Sequence, residues 1–368
     1  MGKPTKNTAF SVKGLRFGEN YGTLTAKGAD TFMNLSYETV KKITCGATRI
    51  SEDDGFRFYR FTEKQEEVYR RYRSGLAEKT FSTPCICLHF HTDSRNLYLK
   101  ADMRPSTTRS CFAFDIFCDG KRVDSACLCN FDEKDIPSEQ KRPLGEYSKN
   151  IRLGDGNKTV RIVFPWSVTP VIKEIGLDDG AFVTTVKRDK KILLYGDSIT
   201  HGYDALHPSD TYAYRLSEML HAESYNKAIG GEMFAPEVAE FADDFVPDLI
   251  TVAYGTNDWN GGISRTAFRE NCKGFFDNLT RNYPETPIFA ITPIWRKEST
   301  EQRAMGGFDT VKEQIFDLAA HYDNVIPIVG YDLVPQSEEY FSDRHLHPNK
   351  CGFSFYAENL YDAIRQKL

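Results

Sequence analysis

A change of rhythm near residue 187 constrains the fold more than any other feature of the sequence. Beyond it, short apolar runs alternate with segments of helical periodicity; before it, apolar residues recur at every second position. Strand and helix in strict alternation predict a parallel sheet, because each parallel strand needs a crossover and a helix supplies one. The second half has expected strands at 191–195, 224–229, 248–254, 287–291 and 325–329. Between them fall a helix from about Asp210 (Tyr212, Leu216, Met219 and Leu220 on one face) and a short one at 236–245. Two more follow, one capped by Ser264 with Phe268, Cys272, Phe275, Phe276 and Leu279 facing inward, the other through Val311, Ile315, Leu318 and Ala319. A closing helix is expected over 352–368.

The first half reads as all-β. Alternation places Ile86, Leu88 and Phe90 on one face, then Leu97 and Leu99, then Phe112, Phe114 and Ile116. Asp119-Gly120 offers a hairpin turn into 121–130, and further strands are expected at 159–164 and 171–177. Such short strands predict a β-sandwich. The charged stretch 62–77 reads as a helical excursion or a surface loop, and 187–191 as a solvated linker. The chain of 368 residues is therefore expected to form two domains, a β-sandwich over 1–187 and an α/β domain over 188–368.

The net charge of −5 leaves no electrostatic footprint for nucleic acid or an anionic membrane. No apolar run approaches the roughly 20 residues a bilayer span requires. The first residues lack the apolar core of a secretory signal, so a cytoplasmic location is expected, with a mature exported form left open. Nine cysteines, seven of them before residue 130, are an odd number for a disulfide framework. The close pairs Cys85/Cys87 and Cys127/Cys129 read as buried free thiols, their spacing being too tight for usual zinc ligands. No nucleotide-binding signature occurs, and neither a metal nor another cofactor is expected.

Four stretches of the second half lie near expected strand ends or before the last helix: Gly196-Asp197-Ser198, the segment from Asn226 to Gly230-Gly231, Gly255-Thr256-Asn257-Asp258, and the segment from Asp343 to Asn349. In a doubly wound sheet the carboxyl ends of the strands share one crevice. A serine there needs a base within hydrogen-bond reach, and a tetrahedral oxyanion needs donors aimed at it. Serine, histidine and separate amide donors are the set that acyl transfer requires.

In this order the four stretches resemble the SGNH (GDSL-type) hydrolase superfamily, over roughly residues 190–368. The resemblance implies a three-layer, flavodoxin-like fold with a five-stranded parallel sheet. It implies Ser198 as nucleophile, His347 as general base, and an oxyanion hole from the Ser198 and Gly231 backbone N–H groups with the Asn257 side chain. The flanking residues Gly196 and Thr200 do not form the Gly-x-Ser-x-Gly elbow of α/β-hydrolases. One departure stands out: the family has an aspartate three residues before the histidine, where this chain has Arg344. Asp343 lies one residue further away, and a loop that absorbs the extra residue leaves it as the orienting acid. The alternative is a Ser198–His347 dyad whose tautomer is set by a carbonyl or another carboxylate, with His345 a minor competitor as base. Asp197 and Asp258 read as structural, His201 and His207 as loop residues. Trp295 and Arg296, after the fourth strand, are candidates for contact with substrate.

Stretches at 153–156 and 175–180 are similar to the jelly-roll domain that precedes some SGNH carbohydrate esterases, an arrangement in which the sandwich packs on the catalytic domain and helps shape a sugar cleft. The implied activity is hydrolysis of short acyl esters, acetyl above all, on a carbohydrate. The implied partner is a small-molecule or oligosaccharide ester, with homo-oligomers allowed. A lipid or thioester acylhydrolase and a carbohydrate-binding protein with a decayed site are the alternatives.

Overall fold

The computed structural model describes residues 32–126 and 143–368. Among the described residues twelve strands precede residue 187: β1 (Phe32–Asn34), β2 (Thr44–Cys45), β3 (Arg49–Glu52), β4 (Phe56–Tyr59), β5 (Cys87–Thr92), β6 (Asn96–Pro105), β7 (Phe114–Cys118), β8 (Lys121–Ala126), β9 (Gly145–Arg152), β10 (Lys158–Val163), β11 (Val168–Asp178) and β12 (Thr184–Thr185). They form two antiparallel sheets, β3-β4-β11-β6-β9 with β1 beside β11, and β12-β5-β10-β7-β8 with β2 beside β5. The alternating residues meet between the sheets: Ile86, Leu88, Phe90, Leu97, Leu99, Ile116, Val160 and Ile162 pack into one core. This is the expected sandwich. The far end of the expected hairpin at 121–130, with Cys127 and Cys129, lies outside the described residues.

Among the described residues this part also holds the α-helices α1 (Tyr37–Ile43) and α2 (Glu63–Tyr72). The charged stretch from residue 62 is thus a helix, begun by a reciprocal capping box between Thr62 and Gln65. It continues as a 3-10 segment, Ser74–Phe81. Its buried face, which includes Val68 and Tyr69, joins the core of the second half, with Phe61 and Tyr69 in that core.

The α/β part contains β13 (Lys190–Gly196), α3 (Ser198–His201), α4 (Tyr212–Met219), β14 (Ala222–Asn226), β15 (Leu249–Ala253), α5 (Thr256–Asn260), α6 (Arg265–Asn282), β16 (Ile288–Ile291), a small hairpin β17–β18 (Gln302–Arg303, Gly306–Gly307), α7 (Asp309–Ala319), β19 (Val325–Ile328) and α8 (Lys350–Arg365). The parallel sheet runs β14-β13-β15-β16-β19, the flavodoxin-like order 2-1-3-4-5. Side chains alternate across it. Leu193, Tyr195, Ile250 and Val252 face α6 and α7, while Ile192, Leu194, Phe289 and Ile291 face α4 and α8, which completes three layers. The segment expected to be a helix at 236–245 is only a 3-10 turn, Pro236–Ala239, opened by its proline.

The described residues form one compact unit. Cys85, Cys87 and Val163 of the sandwich share a core with Ile192 and Leu194 of β13. The stretch 187–191 is not merely a solvated linker: Arg188 donates to Ala222 O (2.8 Å) and to Glu218 (2.7 Å). A charged run in sequence looks solvated, but here α4 and β14 supply the acceptors. Among the described residues no helix is long and apolar enough to cross a membrane.

Candidate active site

In a 2-1-3-4-5 sheet the switch point lies at the carboxyl ends of the first and third strands, here β13 and β15, and a crevice opens there. Strand β13 ends at Gly196, where an added Cβ would lie 2.1 Å from Thr200 Oγ1, so the turn admits no larger residue. Asp197 caps α3, its Oδ1 accepting from Ile199 N (2.9 Å). Ser198 is the first helical residue, and its N–H is among those that intrahelical bonding leaves over. Its hydroxyl lies 2.9 Å from His347 Nε2.

His347 reaches the serine from the loop before α8. That loop is held by Asp343, whose Oδ1 accepts from the N–H groups of His345 (2.9 Å), Leu346 (2.8 Å) and His347 (3.1 Å). Its Oδ2 lies 2.8 Å from His347 Nδ1. The extra residue is absorbed by Arg344, which sits in the left-handed region at φ 55°. Asp343 therefore does reach the imidazole. His345 turns away to Glu298 (2.5 Å), which removes it as a competing base.

A second carboxylate also meets His347. Asp204 Oδ2 lies 3.1 Å from Nδ1, and Arg109 of the sandwich grips Asp204 through Nε (2.8 Å) and Nη2 (3.3 Å). Burial opposes charge on His347, yet Asp204 and Asp343 together outweigh it and raise the imidazole to about 9. The Asp343 carboxyl is held well below the usual carboxylate range, its bonds to His347 and to the loop N–H groups overcoming burial. Asp204, Asp343 and His347 are also the described cluster that could offer three ligand atoms to a metal ion. The Ser198 hydroxyl on the far ring nitrogen suits a proton relay better. Asp204 escaped the sequence reading because an aspartate in the loop after α3 carries no motif; in the structure it takes a left-handed backbone, φ 66°.

The expected oxyanion donors lie on neighbouring loops. Gly231 adopts φ 88°, favouring glycine. Asn257 stands in the first turn of α5 and donates one Nδ2 hydrogen to Glu232 O (2.9 Å), which ties the Gly231–Glu232 turn to β15. An amide nitrogen has a second hydrogen to offer. At Gly230 an added Cβ would lie 2.4 Å from the Tyr203 ring, and Tyr203 in turn stacks on His347, with centroids 5.8 Å apart. His201 is fully buried rather than a surface residue. Its Nδ1 accepts from Gly230 N (3.2 Å), and Nε2 lies 2.9 Å from both Ser82 Oγ and Trp166 O. His207 likewise binds Asp115 of the sandwich (3.0 Å).

The sandwich side frames this loop further. Arg60, fully enclosed, donates to the carbonyls of Asn226 (2.7 Å), Ala228 (2.9 Å), Lys79 (2.8 Å) and Ser82 (2.7 Å). Lys79 Nζ donates to Gly230 O (2.6 Å), and Arg73 pairs with the buried Glu232. Burial raises the carboxyls of Asp197 to about 6 and of Asp258 to about 7; Asp258 Oδ1 accepts from Phe234 N, a structural use.

Arg296 is not placed to meet a substrate. It is 3% exposed, with its guanidinium on Glu298 (3.1 Å) and Thr256 (3.2 Å), so the strand-end arginine serves packing. Trp295 is half-buried and leans on Phe341, at the root of the His347 loop.

A parallel sheet of this order, with serine, glycine, asparagine and histidine near its carboxyl edge, defines the class as a three-layer, flavodoxin-like α/β fold carrying an N-terminal sandwich. The profile of the GDSL-like lipase/acylhydrolase family matches residues 194–353. No curated protein matches the sequence. Solved structures share the fold along most of the chain. A salicylyl-acyltransferase from a tetracycline biosynthetic pathway superimposes with TM-score 0.77 at 21% identity, over 92% of this chain and 98% of its own. A family two carbohydrate esterase from Cellvibrio japonicus gives 0.62 at 17%, over 91% and 98%. An acetyl xylan esterase from the rumen bacterium Butyrivibrio proteoclasticus gives 0.55 at 16%, over 77% and 90%. At these identities the likeness is one of fold.

Proposed function

We propose that the chain is a serine esterase that removes short acyl groups, acetyl foremost, from a carbohydrate. The observation that carries the reading is the continuous line of hydrogen bonds from Ser198 Oγ through His347 to Asp343. In the acylation step Ser198 Oγ bonds to the ester carbonyl carbon while its proton passes to His347 Nε2. The tetrahedral oxygen is stabilised by the N–H groups of Ser198 and Gly231 and the amide of Asn257. Collapse expels the sugar alkoxide, which takes the proton from His347. Water then attacks the acyl-serine with His347 again as base, releasing the carboxylic acid and restoring Ser198. The carbohydrate assignment draws on the esterases that share both the sandwich and the α/β part.

Ser198→Ala is expected to abolish turnover of p-nitrophenyl acetate with the fold unchanged by circular dichroism; full turnover in that variant would end the reading. Acetate release from a panel of acetylated oligosaccharides tests the substrate class, and a preference for long-chain esters instead would favour a lipid acylhydrolase.

A further inference from the structure

We propose that Asp204 is a second positioning carboxylate for His347, sharing the Nδ1 proton with Asp343, and that Arg109 of the sandwich holds it there. The inference rests on the esterase reading of Ser198 and His347 and deepens it. One N–H faces two carboxylate oxygens, at 2.8 Å from Asp343 and 3.1 Å from Asp204. Asp204 is 2% exposed and keeps a left-handed backbone, a conformation that aspartate tolerates better than most residues.

Two carboxylates on one proton repel each other unless a cation stands beside them. Arg109 is that cation, and its planar fork matches the Asp204 carboxylate at two points. Its guanidinium also lies over Tyr203, 5.4 Å from the ring centre, and Tyr203 stacks on His347. Arg109, Asp204, His347 and Tyr203 thus close a ring of contacts between the two halves of the chain. The groups that face His347 are Ser198, Asp197, Tyr203 and Asp204 from the segment after β13, Asp343 from the loop before α8, and Arg109 beyond Asp204. With a neutral imidazole, two carboxylates and one guanidinium leave the Asp204, Asp343 and Arg109 group with one negative charge; protonating His347 cancels it.

Two consequences separate this arrangement from a simple triad. First, each acid sustains the Nδ1–H tautomer when the other is lost. Asp343→Asn and Asp204→Asn are each expected to lower kcat by about tenfold, with KM little changed. The double variant should lose on the order of 10⁴-fold, the cost known when a triad acid is replaced outright. Second, removing either anion favours the neutral imidazole. The titration midpoint of His347, followed by NMR of its ring, should fall by about one pH unit in Asp204→Asn. The acid limb of kcat/KM should move the same way. Arg109→Met is expected to change the profile as well, and Arg109→Lys to restore part of it; should Arg109→Met not fold, the near-isosteric Asp204→Asn decides alone.

An Asp204→Asn enzyme with unchanged kcat and unchanged His347 midpoint overturns the proposal, as does an Asp343→Asn enzyme that alone loses the full 10⁴-fold. The NMR titration needs no turnover, so it judges Asp204 even if Ser198→Ala were to retain activity and end the esterase reading.

Discussion

At the scale of single residues, the site separates groups that a motif announces from groups that only burial reveals. Ser198 and His347 stand in recognisable stretches, and the geometry joins them at 2.9 Å. One extra residue sets Asp343 apart from the family's spacing, and Arg344 absorbs it by taking a left-handed turn. Asp204 and Arg109 could not be read, since an ion pair between distant residues leaves no pattern in either stretch. Asp258 shows burial acting on stability. Its carboxyl, pushed up to about 7 by burial, is favoured protonated in the folded chain. The stability this brings is full below the unfolded value near 4 and is lost as pH rises through about 7. Asp258→Asn is neutral at every pH, so its thermal midpoint is expected to decline less than that of the wild type between pH 4 and pH 8. Parallel curves for the two proteins would show that the Asp258 charge is not what costs stability.

Among the elements, strands and long helices were legible because their periodicities repeat, and α6 buries the face read from its sequence, Phe268 through Leu279. Short irregular pieces were not. The segment at 236–245, read as a helix, forms only a 3-10 turn, since propensity says little about segments of one or two turns, and of the two readings of 62–77 the helical one holds in α2. The turn that follows β14 shows how little room such pieces have. Gly230 touches the Tyr203 ring, so Gly230→Ala forces either that ring or the turn to move. The expected result is a loss of about 1–3 kcal/mol in stability from overpacking. A fall in kcat larger than any change in KM should accompany it, because Tyr203 stacks on His347, the base. Chemical denaturation and steady-state kinetics check the two parts separately; wild-type values in both would show that the turn relaxes freely.

For the molecule as a whole, the sandwich is part of the site's scaffold. Arg60 makes five hydrogen bonds, two of them to the carbonyls of Asn226 and Ala228 that lead into Gly230-Gly231. Arg60→Met leaves those buried carbonyls without donors, at roughly 1–3 kcal/mol for each group left unsatisfied. A drop of several kcal/mol in unfolding free energy is expected, measured by denaturant titration; a stability equal to the wild type would mean that the loop finds other donors. Lys227, with no exposure, adds a further tie through Asp243 (2.5 Å), Gln65 and Thr48 (both 3.1 Å). By itself the sequence determined two architectures, the strand order's general class, and the four stretches that carry serine, glycine, asparagine and histidine. It did so because periodicity and turn chemistry are local and repeat along the chain. Only the tertiary structure decided that Asp343 and Asp204 both reach His347, that Arg296 is sealed inside, and that Arg60 and Arg109 cross from the sandwich to hold the loops. Those are pairings between residues far apart in sequence, chosen by which buried charge finds which partner once the two halves have packed.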